Sequence, residues 1–103
     1  NDFTSEIYMP DYIYLIRPVC QEFFDHPTQE EDAAIEAHFE YLKQATSQGR
    51  VFLAGPCLDR TFGVVILTAD NEAAAHTFMM NDPAISKDVM MAELHPMKIS
   101  LRS

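Results

Sequence analysis

Glycine is scarce in this chain, with three residues in 103. That excludes a glycine-rich phosphate-cradling loop, which needs several flexible positions so that backbone N–H groups can close on a phosphate. Nucleotide cofactors are therefore not expected, and no other cofactor is called for. Positive charge is scarce too: 7 Lys and Arg stand against 16 Asp and Glu, a net charge of -9. A nucleic-acid binder carries a basic stripe that neutralises phosphates, so nucleic acid is not an expected partner. The same acidity disfavours an anionic membrane surface. No apolar run approaches the length of about 18 residues that a membrane span requires. The two cysteines, Cys20 and Cys57, show neither CxxC nor metal-finger spacing and read as reduced thiols, which points to a cytoplasmic protein. Asn1 in place of Met leaves open an upstream segment, an export signal included.

What the chain does have is apolar surface. Hydrophobic residues make up 48% of it, enough for one domain to build a core without disulfides or metal. Residues 1–11 are polar and mixed and read as an N-terminal arm; 12–103 reads as a single domain. Tyr12 to Pro18 is aromatic and β-branched and reads as a strand. Cys20 to Pro27 reads as a loop carrying Phe23 and Phe24. Thr28 with Glu31 forms a capping box ahead of a helix from Gln29 to Ser47, closed by Gly49. Arg50 to Pro56 and Phe62 to Ala69 read as a hairpin of two strands. Asp70 or Asn71 caps a second helix, which ends at Asp82-Pro83, where Pro83 is suited to open a further short turn. Met90 to Leu101 reads as a last strand, in which Pro96 argues for an edge or a bulge.

The order is β-α-β-β-α-β, the split βαβ or ferredoxin-like pattern of an α+β fold. It predicts a four-stranded antiparallel sheet with two helices on one face. Strands with one solvated face should alternate, yet Val64, Val65, Ile66 and Leu67 run consecutively. The second sheet face is thus expected to meet a copy of itself in a homodimer, giving a dimeric α/β barrel-type assembly.

His38 stands out. The first helix has an apolar stripe of Ile35, His38, Leu42 and Ala45, with Phe39 beside it, at the spacing of one helical face. An imidazole, with an ordinary pKa of about 6.5, suits proton transfer. Asp82, just past the second helix, is a possible partner.

With this order in hand, the chain resembles the YCII-related family of small ferredoxin-like dimers. The matching segments are His38-Phe39-Glu40-Tyr41-Leu42, Gly49 with Ala54-Gly55-Pro56, Asn81-Asp82-Pro83-Ala84, and Ala92-Glu93-Leu94-His95-Pro96-Met97. The resemblance implies a homodimer and an active site that pairs the helix histidine, His38, with the aspartate of the DP motif, Asp82. A characterised relative eliminates chloride from a chlorinated hydroxyquinone, and the related fold also holds muconolactone isomerases and cofactor-free monooxygenases. The segment Phe23 to Glu36 is long for the family, which points to a different pocket entrance.

Each candidate has two readings. His38 is a general base oriented by Asp82, or a core histidine held by a hydrogen bond. Asp82 is its partner, or the aspartate of a helix-ending turn. Arg17 binds a substrate carboxylate or phenolate at the pocket mouth, or pairs with a surface acid. Gly55, Pro56 and His95 join Arg17 as substrate-contact candidates, with His95 also placed to face the dimer interface. His38, His95 and Asp82 would make a three-ligand metal set, but no local spacing supports one and no metal is expected. The expected function is a small-molecule enzyme performing cofactor-free isomerisation or elimination on a small, partly aromatic or enol-bearing acid. The alternative is a non-catalytic ligand-binding or assembly module in which the His-Asp pair is structural.

Overall fold

The computed structural model describes residues 9–103. The elements run β1 (Asp11–Pro18), a 3-10 turn (Gln21–Phe24), α1 (Gln29–Ser47), β2 (Val51–Pro56), β3 (Gly63–Thr68), α2 (Glu72–Met80), α3 (Pro83–Ser86) and β4 (Met90–Met97). The expected arm, 1–11, lies outside the described residues up to position 8, and Asp11 already opens β1.

All strand pairings are antiparallel, in the order β2-β3-β1-β4. The central strand β1 alternates strictly: Tyr12, Tyr14 and Ile16 are buried, while Ile13 and Leu15 are half-buried on the other side. Register carries that alternation outward. Tyr14 lies opposite Val65 on β3 and Leu94 on β4, so these three share the core face. Ile13 lies opposite Ile66 and His95, on the reverse face. A register shift between Val51 and Leu53 marks a bulge in β2.

The helices close over the core face. Leu42 and Ala45 of α1, Phe78 and Met79 of α2, and Ile85 of α3 join Tyr14, Val51, Val65 and Leu67 in one buried cluster. The helix boundaries follow from local chemistry. Thr28 Oγ1 accepts from the Glu31 N–H at 3.0 Å while Glu31 Oε1 accepts from the Thr28 N–H at 2.7 Å, the reciprocal capping box. Gly49 ends α1 at φ +78°, a left-handed conformation suited to glycine. Asn71 caps α2 through the Ala74 N–H at 2.8 Å. The chain departs from the two-helix expectation because Pro83, with its fixed φ and missing N–H, starts a third, one-turn helix with Asp82 as its cap. The expected loop around Phe23 and Phe24 contains the 3-10 turn, and β4 stops at Met97, short of the expected Leu101. No described helix is long and apolar enough to cross a membrane.

Candidate active site

The chemistry of the site starts from a buried charge. The N-cap position of α3 puts Asp82 at the junction of α1, α3 and the sheet, wholly enclosed. A carboxylate withdrawn from water needs donors, and three surround it. Its Oδ1 accepts from the Ala84 N–H at 3.0 Å, and its Oδ2 from the Tyr14 hydroxyl at 2.8 Å. His38 Nδ1 lies 2.7 Å from Oδ1 and 2.9 Å from Oδ2. No buried side-chain polar atom among the described residues lacks a partner.

These contacts assign the histidine tautomer. An ionised carboxylate only accepts, so Nδ1 carries the proton and Nε2 of the neutral ring is left with a free lone pair. The His38 side chain is 14% exposed, and no described residue pairs with Nε2. The ring forms part of the wall of a cavity of about 970 Å³ between α1, the β2–β3 hairpin and the 3-10 turn. One nitrogen is held by Asp82, and the other has no partner among the described residues.

Tyr14 supports this arrangement from the sheet. Burial, and then the Asp82 charge and hydrogen bond, push its phenol far above the ordinary tyrosine value. It therefore remains an O–H donor to Asp82. Tyr41, also raised by burial and then by Asp82 against an opposing pull from Arg50, donates to the Phe78 carbonyl at 2.7 Å. Tyr14 is a residue that sequence reasoning missed. The available signal was a tyrosine at a core-facing position of an alternating strand, whose hydroxyl must find a partner.

The cavity wall is mostly apolar, with Phe23, Phe24, Phe39 and Phe62 among its residues. Gly55 and Pro56, two of the substrate-contact candidates, line it. Arg60, in the β2–β3 turn at φ 67°, ties that turn to the 3-10 segment. Its Nη1 lies 3.2 Å from Asp25 Oδ1, and its guanidinium lies 5.1 Å from the centre of the Phe24 ring.

Arg17 and His95 are not brought to the cavity. Strand alternation sends Arg17 to the face that Ile13 and Leu15 share, opposite to Tyr14. There it lies 3.7 Å from Glu93, and it reaches the cavity only indirectly, 5.6 Å above the Phe62 ring. His95 follows the same rule on β4 and donates from Nε2 to Glu93 at 2.7 Å. The sheet therefore separates His95 from His38 and Asp82, and the three-ligand metal set is not assembled. Lys43, which the sequence did not single out, lines the cavity instead. Its signal was its place four residues after Phe39, on the flank of the same helix face.

A family model described as the YCII-related domain matches residues 12–98. No curated protein matches the chain. Among solved structures, the uncharacterized protein TM1266 from Thermotoga maritima is similar at 12% sequence identity, covering 88% of this chain and 100% of that one, with a TM-score of 0.46.

Proposed function

The chain belongs to the YCII-related family, and from that premise we propose that it is a small-molecule enzyme in which His38 performs cofactor-free acid–base chemistry. One observation carries the reading. Asp82 clamps Nδ1, Nε2 has no partner among the described residues, and His38 lines a ligand-sized cavity. In this chemistry Nε2 takes a proton from an activated C–H of the substrate, and the C–H electron pair moves into a conjugated enolate. Asp82 stabilises the imidazolium that forms. The ring then returns the proton to another carbon, which completes an isomerisation. In an elimination, a leaving group departs with its electron pair and the ring proton passes to that group or to solvent.

A proton-exchange assay tests this chemistry directly, whichever acid is the natural substrate. A set of enolisable and conjugated cyclic acids is incubated in D2O, and loss of C–H signal is followed by proton NMR. Wild-type protein should catalyse exchange into at least one of them, and His38→Gln should abolish it. No exchange in the set, or equal exchange with His38→Gln, refutes the reading.

A second reading, a binding module with a structural His-Asp pair, is favoured by one specific fact. Asp82 already has work without His38, since it caps α3 and accepts from Tyr14. In that case His38→Gln would leave ligand affinity and all exchange rates unchanged.

The proposal extends to a ferredoxin-like homodimer formed through the sheet face that carries Ile13, Leu15 and Ile66. The strand order and the half-buried state of these residues support it, as do exposed Leu53 and Met91. Light scattering should give twice the 11.7 kDa chain mass at micromolar concentration.

A further inference from the structure

The cavity and the chain disagree in charge. The chain carries 16 acids against 7 Lys and Arg. Yet the charged side chains on the described cavity wall are Lys43 and Arg60, with no Asp or Glu among them. Asp82 is sealed behind the His38 ring and does not reach the wall.

The two cations are not equivalent. Arg60 is engaged by Asp25 and by the Phe24 ring. Lys43 is exposed, and no described residue forms an ion pair with it. The hydroxyls of the wall are also occupied: Thr46 donates to the Leu42 carbonyl at 2.8 Å, Ser47 to the Gln44 carbonyl at 2.7 Å, and Thr61 to Asp59. Lys43 is thus the cation on this wall with its donors free. Around it the surface is apolar and rich in phenylalanine, and such a surface favours flat conjugated ligands.

We infer that the cavity takes a flat, largely apolar monoanion, a conjugated or aromatic carboxylate or enolate, and that Lys43 holds its negative group. Lys43 then takes the role expected of Arg17. Lys43 follows His38 by five positions, a rise of roughly 7.5 Å along the helix. The two positions are also turned by about 140° around the helix axis, so the anionic group is held apart from the atom that meets Nε2 and not beside it. The placement of the reacting atom rests on the acid–base reading above; the charge selection does not. Lys43 is exposed, so its attraction for an anion is modest and screened by salt, and the apolar wall beside it supplies the rest of the contact. The acids elsewhere on the surface would deter an anion from binding nonspecifically.

The test uses two probes of one shape, 2-naphthoate and 2-naphthamide, with dissociation constants measured by titration calorimetry at low ionic strength. Wild-type protein should bind the naphthoate about tenfold more tightly, the scale of one charge-assisted hydrogen bond. Lys43→Gln should lower naphthoate affinity to that of the amide and leave the amide unchanged. Added salt should narrow the preference. Lys43 is exposed, so the variant keeps the fold. His38→Gln should keep the naphthoate preference, which separates this proposal from the acid–base reading. Loss of exchange activity without loss of preference tests only that earlier reading. Equal affinity for the two probes, a preference that survives Lys43→Gln, or no binding of either probe overturns the inference.

Discussion

Tyr14 and His38 both donate to the Asp82 carboxylate, but they do so in different surroundings, and substitution should expose the difference. Tyr14 lies in the dry core at 0% exposure. Tyr14→Phe removes one donor from a buried charge where no solvent reaches, so the loss should cost about 2–3 kcal/mol, the scale of a hydrogen bond to a charged group. His38→Ala removes a donor from the same carboxylate, but it opens the gap to the cavity. Water can enter and donate in its place, leaving a cost of about 1 kcal/mol for the lost bond and packing. Asp82→Ala removes the acceptor for three donors and the cap of α3. Its cost should be about 3–5 kcal/mol, a large share of the stability of a small domain. Urea unfolding at neutral pH measures all three as shifts of midpoint at constant slope. The expected order is Asp82→Ala, then Tyr14→Phe, then His38→Ala. If His38→Ala costs as much as Tyr14→Phe, water does not reach the ring. Nε2 would then not face an open cavity, and the observation behind the proposed function would be lost.

Alkaline unfolding should be steep. Because the folded Tyr14 pKa is raised, the native state keeps a proton that the unfolded chain releases near the ordinary value of 10.0. The unfolded state then binds fewer protons, so stability is complete below about pH 10 and falls above it, by about 1.4 kcal/mol per pH unit from this residue. Urea midpoints between pH 9 and 11 should show the decline and Tyr14→Phe should flatten it; a flat wild-type profile counts against the buried phenol. Gly63→Ala should also destabilise, since its Cβ would lie 2.6 Å from Ile16 Cγ1 and 2.9 Å from Cδ1. Both residues line the cavity, and a thermal melt should show a loss of about 1–3 kcal/mol from overpacking. An unchanged melting temperature would mean that Ile16 moves aside freely.

Local signals decided how much of this was legible. The capping box at Thr28 and Glu31, the left-handed Gly49 and the Pro83 helix start are read from a few neighbouring residues, and each appears where the sequence placed it. His38 was noticed because a polar ring interrupted an apolar stripe. Asp82 resisted a single assignment because both of its readings hold in the geometry: it ends one helix, caps the next, and faces His38 across 44 positions of sequence. Tyr14 and Lys43 were missed for different reasons. Tyr14 disappeared into a strand read as apolar throughout, although its alternation was there to count. Lys43 became meaningful only once the hairpin and the 3-10 turn enclosed space beside it, a nonlocal event with no local signature. Arg17 was misplaced by the same oversight that hid Tyr14: a place near a strand end does not settle which face a side chain takes, since neighbouring strand residues face opposite sides of the sheet.

The groups that set the chemistry and those that shape the cavity are held by different parts of the chain. Asp82 draws its donors from β1, α1 and the first turn of α3, all tied to the core. Much of the cavity wall comes from the exposed face of α1, the β2–β3 turn and the 3-10 segment, where side chains such as Phe39 and Leu58 bear little of the core packing. Substitutions in that wall alter the shape offered to a ligand without disturbing the carboxylate behind the histidine. Under the proposed function, ligand range would drift through single, nearly neutral steps, and a library confined to the 57–62 turn and residues 21–25 would sample new specificities at little cost in folded protein.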